Sequence, residues 1–310
     1  MANHATRREF LKISAGSALA GSALATAARG DEPLLAAAPP LGPGPLPIQK
    51  GVLISMLPRQ LSYVERFRLA RAAGFAVIQA QTISDPAEAE AIGRASREAG
   101  IPIDSVENLG HWRYPFSSAD PAVAEQGMEI ARTSLRNAKL WGAGAVLMVA
   151  GVVNPETRYE EAWRRSVPRI RELAELAGQL RVVIALEEVW SKFLLSPLEM
   201  ARYIDQFHSP WVRSWFDVGN VVLYGYPQDW IRTLGSRIAR LHVKDFKLTG
   251  NCYHWVNLGE GAVDWPAVRE ALRAVGFRGS ATCELPAGDE AYLRDVSSRM
   301  SRLVVGADTA

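Results

Sequence analysis

Cysteine is nearly absent: the 310 residues hold two, Cys252 and Cys283, and no C-x-x-C pair. One disulfide is the most they can form, so a disulfide-stapled scaffold is excluded, and zinc-ribbon spacing is missing. An excess of charge is lacking too. The chain carries 35 Lys and Arg against 33 Asp and Glu, a formal net charge of +2. Taking away the basic start (Arg7, Arg8 and Lys12, with Glu9) brings the remainder to balance. Such a surface supplies no counterion-release drive toward polyphosphates, so nucleic acid is not an expected partner. No run approaches the roughly 20 strongly apolar residues of a bilayer span, and no stable membrane anchor is expected. What is present is 48% hydrophobic and 22% charged residues, the balance of one large soluble globular domain; fibrous and low-complexity chains are composed differently.

Thr6-Arg7-Arg8-Glu9-Phe10-Leu11-Lys12 precedes a stretch of Ala, Gly, Ser and Leu from Ile13 to Ala28, and Ala25-Thr26-Ala27 has the A-x-A form of a cleavage site. The order resembles a twin-arginine export signal. An amphipathic helix is the other reading, and Gly16 and Gly21 suit it poorly. The resemblance implies that residues 1–27 are a signal and that the domain is exported already folded, to the periplasm or beyond the cell. Residues 28–47, with Pro-Pro and Gly-Pro-Gly-Pro steps, read as an extended tether. The folded domain is expected over 48–310.

From Ile48 onward short apolar runs alternate with longer amphipathic ones. Strands are expected over 51–56, 75–79, 101–106, 145–149, 182–186, 212–216, 238–242 and 279–284. Helices are expected over 62–73, from Asp85-Pro86 to Gly100, from Asp120-Pro121 to Leu140, over 159–180 with a kink or break at Pro168, after Ser196-Pro197, and over 228–234, 265–275 and 289–304. Asp-Pro and Ser-Pro are start signals, a cap followed by Pro in the first turn. Eight strand-helix units in about 257 residues match a single-domain α/β (β/α)8 TIM barrel. Gly259-x-Gly261 hints at a dinucleotide loop on an open sheet, but position 264 is Asp and no strand turns directly into a helix there.

Such barrels place their chemistry at the C-terminal strand ends. Strand five ends in Glu187, strand six in Asp217, strand seven in His242 and strand eight in Glu284. Alternation puts Glu187 on the face of Ala185 and Val183, with Glu188 opposite, although a bulge would exchange the two. Three crowded carboxylates raise one another's pKa, and a divalent cation keeps all of them ionised. Three carboxylates and one imidazole suit Mn²⁺, Mg²⁺ or Co²⁺ better than a closed zinc site.

Ile184-Ala-Leu-Glu187, Phe216-Asp217-Val-Gly-Asn220, Leu241-His242-Val-Lys244-Asp245, Gly259-Glu-Gly-Ala-Val-Asp-Trp265 and Cys283-Glu284 resemble the motifs of the sugar phosphate isomerase/epimerase family with xylose-isomerase-like barrels. The resemblance implies one divalent metal ion on Glu187, Asp217, His242 and Glu284. It also implies that Glu187 and Glu284 act as acid and base in proton abstraction next to a carbonyl, through an enediolate. Asn220 stands where some epimerases carry a His. Further expected substrate contacts are Lys244, on the face of His242; His111 and Trp112, in a loop after strand three; and Lys192 and His254. Export favours a free or modified keto-sugar or a polyol over a sugar phosphate. The rival functions are a lyase or dehydratase on a keto-sugar or inositol derivative, an abasic-site nuclease, which five His supply too sparsely, and a non-catalytic sugar-binding or partner subunit. Self-association into a homo-oligomer is left open.

Overall fold

The computed structural model describes residues 38–250 and 252–307; the expected signal and the first ten residues of the expected tether lie outside them. The barrel strands are β1 (Ile48–Leu53), β2 (Val77–Gln81), β3 (Ile103–Glu107), β4 (Ala145–Met148), β5 (Val183–Glu187), β6 (Val212–Asp217), β7 (Ile238–Val243) and β10 (Gly279–Cys283). All neighbouring pairs are parallel, and β1 closes the ring against β10. The helices are α1 (Tyr63–Ala72), α2 (Pro86–Ala99), α3 (Pro121–Trp141), α4 (Tyr159–Leu180), α5 (Pro197–Asp205), α6 (Pro227–Leu234), α7 (Trp265–Ala274) and α8 (Glu290–Met300). The chain is a closed (β/α)8 barrel.

Local chemistry sets the helix starts. Asp85, Asp120, Ser196 and Asp264 each cap a helix with a side-chain oxygen and are followed by Pro in the first turn, where its missing N–H costs nothing. Helix α4 runs unbroken through Pro168, so no break occurs there: packing of Ile170, Leu173 and Ala177 against the barrel holds the helix across the lost hydrogen bond. Between sheet and helices lies one continuous apolar layer that includes Ile184, Leu241, Leu272 and Val296. Each such side chain contributes about 1.5–3 kcal/mol on burial. Before β1, Leu46 is buried, and Leu41 N donates to Arg273 O at 2.9 Å.

Inside the barrel, Ala145, Leu147, Ala185, Trp215 and Ala239 form a small apolar plug. Below it, Asp104 accepts hydrogen bonds from Arg240 Nε at 3.0 Å and Ser280 Oγ at 2.6 Å. Two register slips shape this interior: the β2–β3 ladder skips Asp104, and the β6–β7 ladder skips Ala239. The second slip leaves Asp217 paired with His242.

A hairpin of β8 (Asp245–Thr249) and β9 (Cys252–Val256) rises after β7, in what the sequence reading treats as loop. Its register places Phe246, Leu248, Tyr253 and Trp255 on one face. Trp190, beyond β5, stacks on Trp255 with ring centres 5.0 Å apart and meets Phe246 and Tyr253 edge-on.

Candidate functional site

Glu187, Asp217, His242 and Glu284 converge at the C-terminal mouth, each offering a ligand atom within 4.8 Å of the others. Three of them are buried. His242 Nδ1 lies 2.8 Å from Glu187 Oε1, 3.3 Å from Glu284 Oε2 and 3.8 Å from Asp217 Oδ2. These distances, with the burial, make a set of donors that fits one divalent cation.

Each donor is held from behind. Asp217 Oδ1 accepts the backbone N–H groups of Gly219 at 2.7 Å and Asn220 at 2.9 Å, which turns Oδ2 to the centre. His242 Nε2 is 2.9 Å from the side-chain oxygen of Gln79, itself fully buried on β2. A carbonyl oxygen takes a proton from Nε2, so Nδ1 is the nitrogen left for a ligand role. The ring of Trp215 packs edge-on against the imidazole at 4.9 Å.

Strand alternation also separates the adjacent glutamates. Glu187, in line with Ala185, enters the cluster, whereas Glu188 accepts the Asp217 backbone N–H at 2.7 Å. No bulge exchanges them: β5 pairs regularly from Ile184 to Glu187.

Lys244 supplies positive charge. Its Nζ is 2.8 Å from Asp217 Oδ2 and 2.6 Å from Glu284 Oε2, and 4.7 Å from the ring centre of Trp255. Burial pushes Glu187 up to about 7 against the pull of His242. Burial and the charges of Glu187 and Asp217 raise Glu188 well above the carboxylate range. Burial works against charge on His242, on Lys244 and on Glu284, yet their mutual attraction prevails: both bases are raised and Glu284 is lowered.

The other expected contacts differ in their settings. Asn220 is buried: its side-chain N–H donates to Glu188 O at 2.9 Å, and its backbone carbonyl accepts from Trp190 Nε1 at 3.0 Å. His111, half-buried with its pKa lowered by burial, lies 5.0 Å from the exposed ring of Trp112. Lys192 is exposed in a left-handed turn at φ 60°. His254 is exposed on the hairpin face opposite Trp255.

Three polar residues at the mouth escape a reading based on strand-terminal metal ligands. They are Gln79 and Gln81 on β2 and Glu107 on β3, with Gln81 Nε2 donating to Glu107 Oε2 at 3.0 Å. Their signal was available, since all three are polar residues in or ending apolar strands.

The two motif blocks after β7 form a single unit. Asp245, fully buried, accepts from the N–H groups of Phe246, Gly259 and Val263 and from Trp265 Nε1, at 2.9–3.2 Å. A Cβ at Gly261 would strike the Asp245 carboxylate, and Gly259 sits at φ +83°. These glycines therefore serve a close approach to a carboxylate, with no dinucleotide loop involved.

The closed (β/α)8 barrel brings three carboxylates and one imidazole from adjoining strands to one point, a group that could hold one metal ion. The family described as xylose isomerase-like TIM barrel matches residues 67–302, and the chain belongs to it. The chain is similar to the L-ribulose-5-phosphate 3-epimerase UlaE of Escherichia coli O1:K1 / APEC, 27% identical over 274 residues, covering 82% of this chain and 96% of the relative. Among solved structures it resembles D-psicose 3-epimerase from Clostridium cellulolyticum H10, with TM-score 0.69, 16% identity, and coverage of 84% and 100%. It also resembles the 3-keto-D-glucoside 4-epimerase YcjR from E. coli, with TM-score 0.70, 15% identity, and coverage of 83% and 99%. These last two likenesses concern the fold.

Proposed function

We infer that the protein is a metal-dependent sugar epimerase or isomerase that moves a proton at the carbon next to a carbonyl of a free or modified keto-sugar. The observation that carries this reading is the convergence of Glu187, Asp217, His242 and Glu284 within 4.8 Å. A divalent cation on these four, Mn²⁺, Mg²⁺ or Co²⁺ in preference to Zn²⁺, would polarise the carbonyl and offset the negative charge that develops as the neighbouring C–H proton leaves. Glu187 and Glu284 stand at the two ends of the arc β5-β6-β7-β10, with Asp217 and His242 between them. One therefore removes the proton from one side of the substrate while the other returns a proton from the opposite side, which inverts the carbon. Lys244 holds Asp217 and Glu284 in place through its two ion pairs. His111 and Trp112, in the loop after β3, form a ring pair of a kind suited to the C–H faces of a sugar. Relatives named as sugar epimerases support the same chemistry. The signal-like start supports action in the periplasm or outside the cell, where free sugars are met.

The test is metal analysis of the mature protein, followed by incubation with a keto-sugar panel in deuterated water, with and without chelator. Chelator-sensitive deuterium incorporation at the carbon beside the carbonyl, with no elimination product, is the expected result. Elimination product would make the protein a lyase. Full turnover in metal-loaded Glu187→Gln and Glu284→Gln variants would remove the two-glutamate mechanism.

A further inference from the structure

The four ligands occupy one arc of the mouth; the other arc in the closed order is β1, β2, β3 and β4. On that second arc β1 ends in Leu53 and β4 in Met148, whereas β2 ends in Gln81 and β3 in Glu107. Gln81 and Glu107 are register partners, and Glu107 also pairs with Leu147 of the interior plug, so both point into the barrel. Both are half-buried, and the 3.0 Å hydrogen bond joins them. A ligand that reaches across the mouth from the cation site meets a carboxylate, which accepts only, beside an amide that still has a hydrogen to donate.

The usual phosphate position of such barrels, the loops after the last two strands and the helix start that follows, already carries negative charge. Asp289 caps α8 through Tyr292 N at 2.9 Å, and Glu290 lies in the first turn. Lys244, the lysine at the end of β7, is committed to Asp217 and Glu284.

We propose that Gln81 and Glu107 form a clamp that reads a hydroxyl, selecting a keto-sugar whose far end is a free hydroxyl and not a phosphate. The clamp rests on the keto-sugar reading above and adds to it the two residues that read the far end of the substrate. A hydroxyl donates to Glu107 and accepts from Gln81, so both partners are satisfied. A phosphate dianion has no proton to donate and forces Glu107 either to endure like-charge repulsion or to take up a proton; both weaken binding. In this the chain is set apart from a relative named for a 5-phosphate.

The test titrates the manganese-loaded full chain calorimetrically with a free 2-ketopentose and with its 5-phosphate. Wild type should prefer the free sugar. Glu107→Gln should shrink that preference by at least about tenfold, and Gln81→Leu should weaken free-sugar binding while the phosphate stays disfavoured. Because a merely structural role would weaken both ligands alike, the ratio is the decisive readout. Wild type that favours the phosphate or fails to bind the free sugar, or a ratio unchanged by Glu107→Gln, overturns the clamp. Selective binding without proton exchange would defeat the epimerase reading and leave the clamp standing.

Discussion

Gln79→Leu should separate metal affinity from stability. Gln79 is fully buried, and its oxygen is 2.9 Å from His242 Nε2, where it fixes the tautomer and the ring orientation. Loss of a partner behind a metal-ligating His typically costs 10–100-fold in affinity, about 1.4–2.7 kcal/mol. Stability should change far less. The variant gives up one buried hydrogen bond, worth about 1 kcal/mol, and leaves the imidazole N–H unmet. It also deletes Gln79 Nε2, a buried donor without a hydrogen-bond partner among the described residues, and replaces the amide with apolar surface that suits the plug of Leu147 and Trp215. The two effects oppose each other, so a melting shift equivalent to about 1 kcal/mol or less is expected. Competition for Mn²⁺ against a fluorescent chelator measures the affinity, and melting in excess chelator measures the metal-free fold. A correctly folded Gln79→Leu protein that binds Mn²⁺ within twofold of wild type would refute the tautomer argument.

Asp245→Ala strands four donors around a buried carboxylate site. At about 1–3 kcal/mol for each unmet group, added less than fully, a loss of at least about 4 kcal/mol is expected, with Asp245→Asn milder because one acceptor oxygen remains. Urea unfolding checks this, and an unchanged midpoint for Asp245→Ala would rule it out. In chelator, stability should fall as pH rises from about 5 to 8. Burial raises Glu107, Glu187 and Glu188, with Glu187 at about 7, so the folded chain holds more protons than the unfolded chain above the ordinary carboxylate range. Burial disfavours the charge on His242, but Glu187 and Glu284 raise it overall; its contribution is present in acid and lost as pH climbs through the folded value. Glu284, kept low by His242 and Lys244 despite burial, opposes this only at acid pH below the window, and His111, lowered by burial, opposes it only in the lower part of the window, where the three raised glutamates outweigh it. Manganese should flatten or reverse the slope, because its ligands must be deprotonated. A melting temperature that rises across this window in chelator would contradict the assignment.

The order of strands and helices was legible because its signals are local. Asp85-Pro86, Asp120-Pro121 and Ser196-Pro197 cap their helices through contacts within a few residues. Glu187, Asp217, His242 and Glu284 could be read because a barrel fixes where strand ends go, whatever the loops do. The hairpin 245–256 was passed over although Gly250-Asn251 between Leu248 and Tyr253 is a turn signal; its short strands stand apart from the eightfold rhythm. The setting of Asn220 was not legible for a different reason. Its neighbour in sequence is Asp217, but its side-chain partner, the carbonyl of Glu188, comes from another strand.

The amino-acid sequence by itself therefore determined the eight-unit barrel and the four residues brought to its mouth, since periodicity, capping and strand termini act over short distances. Only the tertiary structure decided that Glu187 faces the cluster and Glu188 supports Asp217, that Gln79 orients His242, that Lys244 bridges Asp217 and Glu284, and that Gln81 and Glu107 meet on the other arc of the barrel. Those arrangements depend on barrel closure and on register slips at Asp104 and Ala239. Closure sets side chains from 40 to 163 positions apart within hydrogen-bonding reach, and no local pattern in one strand specifies what the opposite wall presents.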